Sequence, residues 1–350
     1  MLSHRRLNRT LLQRQHLLTR SDHEPQAVVE HLLGLQAQDP LPPYLSLAAR
    51  IEGFDPLTLS RTLEERTAVR VLLMRGTIHL VTAADALRLR PLVQPMLDQV
   101  TRNSTASRPA ADLPRDALAA ACRDAFADGP LPLKALGERL AERFPGYPAT
   151  ALANSVREMM PLVQVPPRGL WNRPGGVVYE RLETWLAAEL HPAPDPADVV
   201  RRYLRAFGPA APADLTAWSG MTGARGVFAA LGEELVAYRS DTGKELFDLA
   251  GLELADEDVP APVRLLGKYD NLWLSHAGRD RVTPDGDHRR RWMGSNGGVG
   301  NTVFVDGELA GLWRLTPQRR VEVELFAQRS RAERADLDDE VARVEQLLRR

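Results

Sequence analysis

The chain has 350 residues, 44% of them hydrophobic and 26% charged, a composition that suits two or three folded domains with ordinary cores. Forty-five basic and 46 acidic residues leave a net charge of −1, which excludes a uniformly basic nucleic-acid binder but leaves room for one basic face. A single cysteine, Cys122, excludes an intramolecular disulfide and a cysteine-rich zinc site, and its apolar neighbours predict a small buried core residue.

No run reaches the ~18 apolar residues of a membrane span. The start, Met1 to Arg9, lacks the apolar core of a signal peptide, so a cytoplasmic protein without a membrane partner is expected. Leucines at 7, 11, 12, 17 and 18 predict a helix over 5–20. Ser21 to Pro25 carry start signals for a second helix ending near Leu33, and a third is expected from Pro56 to Arg66. Val69–Met74 and Ile78–Val81 read as paired strands, followed by a helix over 83–100 and a polar linker over 103–114.

The same rhythm of helices and then a hairpin returns twice. Helices are expected over 112–127, 131–143 and 148–160, then strands over 162–165 and 177–179. A third set has helices over 195–207, 213–219 and 223–231, the last a candidate recognition helix. Strands follow over 235–239 and 245–249. Helices followed by a β-hairpin are the order of a winged helix. The expected class is therefore α+β, with winged-helix units over 1–108, 109–192 and 193–258. A β-rich region with strands near 263–266, 302–305, 311–315 and 321–326 and a charged terminal helix fills 259–350.

Four motifs carry polar groups that could do chemistry. In Leu35-Gln36-Ala37-Gln38-Asp39-Pro40, residues two apart share a face only if the segment is extended, and Pro40 biases Asp39 away from the helical region. Gln36 and Gln38 could then present two amides to one pocket, able to orient water or stabilise a developing cation. They could equally bond free backbone at a helix end. In Arg75-Gly76-Thr77-Ile78-His79, Thr77 and His79 alternate onto one strand face. His79 is either a base or phosphate contact, or a satisfied half-buried histidine. Arg201 and Arg205 could reach phosphate or merely solvate a helix face. Arg289, Arg290 and Arg291 beside Trp292 suit a loop on a nucleic-acid backbone, or a plain surface loop. The following Asn296-Gly297-Gly298-Val299-Gly300 reads as turn chemistry, since no Lys-Ser/Thr pair follows it. No metal-binding motif is found and no cofactor is expected.

The motifs Leu33–Gln38, Arg75–Val81, Tyr203–Ala210, Asp214–Gly220, Tyr269-Asp270-Asn271 and Val305-Asp306-Gly307 occur in an order that resembles the AlkZ/YcaQ-type winged-helix DNA glycosylases. The resemblance covers most of the chain. It implies three tandem winged helices around a concave DNA-binding surface, and a catalytic pair at a Gln-apolar-Gln motif, here Gln36 and Gln38. Glutamine at the second position matches the AlkZ-like branch, whereas the YcaQ branch has aspartate there. The implied activity is monofunctional removal of alkylated purines from double-stranded DNA, in base excision repair or self-resistance to DNA-alkylating antibiotics. No cofactor is implied, and a monomer suffices. Asp39, Thr77 and His79 would support the pair, and Arg75, Arg201, Arg205 and Arg289–Arg291 are candidate DNA contacts. The competing reading is a non-catalytic winged-helix regulator or sequestering resistance protein, which is expected to read two half-sites as a dimer.

Overall fold

The computed structural model describes residues 1–293 and 300–350, so the glycine-rich stretch at Asn296–Val299 lies outside the described residues. An N-terminal helix α1 (His4–Arg14), capped by Ser3, opens the chain. Next come α2 (Pro25–His31), β1 (Leu35–Gln36), α3 (Pro42–Ala48), α4 (Pro56–Glu64), β2 (Ala68–Leu72) and β3 (Ile78–Thr82). This is one winged helix: helix, short strand, two helices, hairpin. A long helix α5 (Ala83–Asn103) leads out of it.

The second unit repeats the order as α6 (Arg115–Ala125), β4 (Leu131–Pro132), α7 (Leu133–Arg143), α8 (Ala149–Met159), β5 (Leu162–Gln164) and β6 (Val178–Arg181). A short α9 (Leu182–Leu186) ends it. The third unit comprises α10 (Pro196–Phe207), α11 (Pro212–Ser219), α12 (Ala224–Leu231), β7 (Leu235–Arg239) and β8 (Glu245–Leu249). A single bridge from Ala210 to Phe247 stands where the first strand would be. The C-terminal region adds β9 (Arg264–Leu266), α13 (Asn271–Leu274), α14 (Gly286–Met293), β10 (Asn301–Val305), β11 (Glu308–Leu315), β12 (Val321–Leu325) and α15 (Arg331–Arg349). Among the described residues, no helix is long and apolar enough to cross a membrane.

Two units share one sheet. Its order is β1-β3-β2-β5-β6-β4, joined where Arg70 and Val71 of β2 pair with Gln164 and Val163 of β5. Each short first strand sits at an outer edge, β1 on β3 and β4 on β6. The second unit keeps its own core around Leu118, Cys122, Leu136, Leu152, Val156 and Tyr179. Cys122 is fully buried as expected, and burial pushes its thiol up to about 12.

Four local expectations need correction. The segment from Leu35 to Ala48 is not a simple helix exit: it supplies β1 and α3, both missed. Six of the seven α3 residues are buried, so no polar face marks a period. The N-terminal helix stops at Arg14 and packs on the third unit and the C-terminal region, through Arg14 to the Leu204 carbonyl of α10 at 3.0 Å and to Asp248 of β8 at 2.8 Å, and through Arg9–Asp306. The expected linker over 103–114 is anchored, with Ser107 fully buried and its hydroxyl donating to Glu158 at 2.8 Å. The arginine-rich stretch lies in helix α14, not in a loop, and Trp292 is buried against Trp273 with ring centroids 3.8 Å apart.

Candidate active site

The Gln36 segment owes its course to a chain reversal after α2. Leu33 (φ 52°) and Gly34 (φ 104°) both take left-handed backbone. Glycine is required at 34, because a Cβ there would sit 2.5 Å from Val81 Cγ1 and 3.0 Å from the Leu80 carbonyl. The reversal lays β1 antiparallel on β3, with Leu35 opposite Leu80 and Gln36 opposite His79. The Ala37 amide extends the ladder by donating to the Ile78 carbonyl at 2.7 Å. From the C-terminal region, Asn271 Nδ2 donates to the Gly34 carbonyl at 2.9 Å and holds the reversal shut. Beside Asn271, Asp270 pairs with Arg50 at 2.7 Å, with neither side chain exposed.

The two amides are oriented by their partners. Gln36, 8% exposed, accepts at Oε1 from Arg75 Nη2 at 2.9 Å. A guanidinium only donates, so the atom facing Arg75 must be the oxygen. Gln38 is exposed, and its Oε1 accepts from the Ile78 backbone amide at 3.2 Å. Both side chains therefore turn their carbonyl oxygens toward the β2–β3 hairpin. Among the described residues, neither NH2 group has a protein partner. Asp39 follows, exposed and likewise unpartnered among the described residues. Thr77 is half-buried and donates to the Met74 carbonyl at 3.1 Å, closing the hairpin turn.

His79 is fixed in one tautomer. Its Nδ1 lies 3.0 Å from the Thr77 carbonyl, which can only accept, so Nδ1 carries the proton and Nε2 the lone pair. That lone pair faces Arg75 Nη2 at 3.2 Å. Burial first, and the Arg75 charge second, pull the imidazole down to about 3, so it is neutral near pH 7.

His16 is lowered in the same sense, to about 4, chiefly by burial. Both start from an ordinary value of 6.5. Between 6.5 and 4 the unfolded chain binds protons that these native histidines refuse. Stability is therefore full above about pH 6.5 and falls as the pH drops. Denaturant midpoints measured from pH 7.5 to 4.5 are expected to decline, with fully buried His79 contributing about 1.4 kcal/mol per pH unit. A flat profile down to pH 5 would refute this.

Another buried cation lies under the motif. Arg70 of β2, 1% exposed, donates from Nη2 to the Ala37 carbonyl at 2.7 Å and to Gln164 Oε1 at 3.2 Å. Neither Arg70 nor the Asn271 contact was singled out by sequence. The Tyr269-Asp270-Asn271 signal was visible, but only the fold shows what it touches.

Of the candidate DNA contacts, Arg75 is half-buried and lies between Gln36, His79 and the Trp218 carbonyl of α11. Arg201 pairs with Glu234 at 2.8 Å, Arg289 with Asp280 at 3.3 Å, Arg290 with Asp287, and Arg291 with Glu324 at 2.5 Å. Arg205 is exposed without a carboxylate partner among the described residues. The helices α4, α8 and α12, where a winged helix reads bases, carry one basic residue each: Arg61, Arg157 and Arg225. Helix α8 is moreover packed on α5. A cavity of about 780 Å³ between α11, α12 and β8 is lined by none of Gln36, Gln38, Asp39, Thr77 and His79. A groove of about 470 Å³ begins at Pro40 and Leu41, beside the motif, and runs between Tyr44, Trp171 and Leu315.

Comparison with known proteins relates the chain to a family, a curated relative and a solved structure. A family model described as DNA glycosylase AlkZ-like matches residues 29–347. An interstrand DNA cross-link repair glycosylase from Streptomyces sahachiroi is 24% identical over 327 residues, spanning 89% of this chain and 87% of that protein. The solved structure of the Streptomyces sahachiroi DNA glycosylase AlkZ aligns with a TM-score of 0.77 at 22% identity, covering 99% of this chain and 97% of that one, a likeness of fold.

Proposed function

The chain belongs to the AlkZ-like DNA glycosylase family, an enzyme family acting on N-glycosyl bonds of DNA, and from that premise we propose that its substrates are alkylated purines in double-stranded DNA. N7-alkylguanine and N3-alkyladenine are the class, with bulky or crosslinked adducts included. The relative named for interstrand cross-link repair supports that extension.

Alkylation at these nitrogens makes the base cationic. When the C1′–N bond breaks, the base takes the bonding electrons and leaves neutral, and the sugar becomes oxocarbenium-like. Water then adds to C1′ and gives up one proton. The base needs no acid, so what remains is to hold water at C1′ and take its proton.

Gln36 and Gln38 are assigned the first task. The observation that carries the assignment is that both carbonyl oxygens are tied to the hairpin, leaving the NH2 groups to donate, one of them to the water oxygen so that its second lone pair stays free to attack C1′. Asp39, the adjacent exposed carboxylate, is assigned the proton. Thr77 and His79 support the pair through the hairpin turn and through Arg75. His79 is buried and neutral, which suits support and not acid–base work. Among the arginines, Arg205 is the freest to meet phosphate; Arg201 and Arg289–Arg291 would each have to leave a carboxylate. The enzyme is taken to work as a monomer.

The test is base release from one duplex carrying N7-methylguanine and from another carrying an N7-linked interstrand crosslink. Release from either supports the substrate class. Binding without release from both, with a preferred sequence and paired half-sites, would replace it with the regulator reading.

A further inference from the structure

We propose that Arg75 is a positioning residue: it holds the Gln36 amide with its oxygen inward and its NH2 group toward the DNA, and the third winged helix holds Arg75 in place. The inference rests on the assignment of Gln36 to the active site.

Arg75 occupies the turn of the β2–β3 hairpin in left-handed backbone, φ 55°. That conformation is unfavourable for a side chain with a Cβ, and something must hold it there. Three acceptors do so. Nη2 donates to Gln36 Oε1 at 2.9 Å and to His79 Nε2 at 3.2 Å, and Nη1 donates to the Trp218 carbonyl. None of the three is a carboxylate. A half-buried cation held by neutral acceptors is a poor device for stability alone, since the desolvation it does suffer is not offset by an opposite charge. Burial accordingly lowers Arg75 to about 10, which still leaves it charged near pH 7.

Each contact also restricts the others. His79 can accept only because its proton is committed to the Thr77 carbonyl. Trp218 lies in the last turn of α11, where carbonyls lack helical partners and carry the negative end of the helix dipole. Gly220, φ 79°, ends that helix. A Cβ there would come 3.0 Å from Met96 Cγ and 3.5 Å from the Arg75 amide, so glycine lets α11 close on the turn. The planar guanidinium thus joins the edge strand bearing Gln36 to the third unit. With three of its five N–H donors on protein acceptors, both of those on Nη2 among them, Arg75 acts through Gln36.

Lysine keeps the charge but offers a compact head that cannot span three acceptors in one plane. For Arg75→Lys, single-turnover base release from the N7-methylguanine duplex is expected to fall about a hundredfold. For Arg75→Gln, which removes the charge, DNA affinity is expected to stay within about twofold, with an unchanged salt slope. A salt-slope unit lost in Arg75→Gln, with normal release by Arg75→Lys, would overturn the proposal in favour of a direct phosphate contact, and unchanged release by Arg75→Lys would overturn it outright.

A second readout is independent of activity. In 15N-glutamine-labelled protein, the Gln36 side-chain NH2 pair, assigned by its loss in Gln36→Ala, is expected to be resolved in the wild type. In Arg75→Lys it is expected to collapse toward free-amide positions. Identical spectra would refute the positioning role even if the wild type released neither base, so this failure and that of the substrate reading remain distinct. If Arg75→Lys does not fold, His79→Leu removes one acceptor and takes the same two measurements, with a smaller loss expected and an unchanged Gln36 signal again refuting it.

Discussion

Gln36→Ala and Gln38→Ala are each expected to lower single-turnover base release by about a hundredfold or more, the usual cost of removing one preorganised donor from a reacting centre. The two should differ in their other effects. Gln36 is buried and fills an acceptor position on Arg75, so its loss leaves a buried donor short of a partner and should cost about 1–3 kcal/mol of stability. Gln38 is exposed, so Gln38→Ala should melt as the wild type does. Gln36→Glu separates the two roles. Its carboxylate would satisfy Arg75 and keep the side-chain volume, yet it has no NH2 group to offer, so release should stay low in a fully stable protein. Measuring release beside thermal melts checks this directly. Normal release by Gln36→Glu would remove the donor role from Gln36.

Asp270→Ala is expected to destabilise the whole fold by about 3–5 kcal/mol, because it strands the Arg50 guanidinium uncompensated in the interior. For a chain of this length that corresponds to a Tm roughly 4–7 °C lower. The effect should reach the site, since the next residue, Asn271, bonds the Gly34 carbonyl at the reversal leading to Gln36. Hydrogen exchange of the Gln36 and Ala37 amides should therefore rise together with the fall in Tm. Arg50→Met combined with Asp270→Leu should recover much of the lost stability, because it removes both charges and not one. A double variant no better than Asp270→Ala would show that the pair is needed for its hydrogen bonds to Ser46 and Gln15, at 2.8 and 2.9 Å, and not for mutual compensation.

The arginine content illustrates how little residue type alone decides. Arg70, fully buried, and Arg75, half-buried, brace the motif. Arg289, Arg290 and Arg291, adjacent in sequence and expected to act together in a loop, point around a helix to three different carboxylates. Only packing separates an arginine that serves the backbone of its own protein from one available to DNA.

What the sequence determined by itself was whatever depends on short range. The hairpin strands 235–239 and 245–249 were readable to the residue, since alternation and the Asp241-Thr242-Gly243 turn act within one hairpin. The repeated winged-helix rhythm and the burial of Cys122 were legible for the same reason. The tertiary structure alone decided the rest. Strand β1 is two residues long and α3 is buried nearly all round, so neither leaves a period to detect. The β2–β5 junction, the departure of α1 to the third unit, the neutral tautomer of His79 and the anchoring of Arg75 on Trp218 join residues up to hundreds of positions apart. They follow from which buried polar groups find partners when the units close together, and that is a property of the packed chain and not of any segment within it.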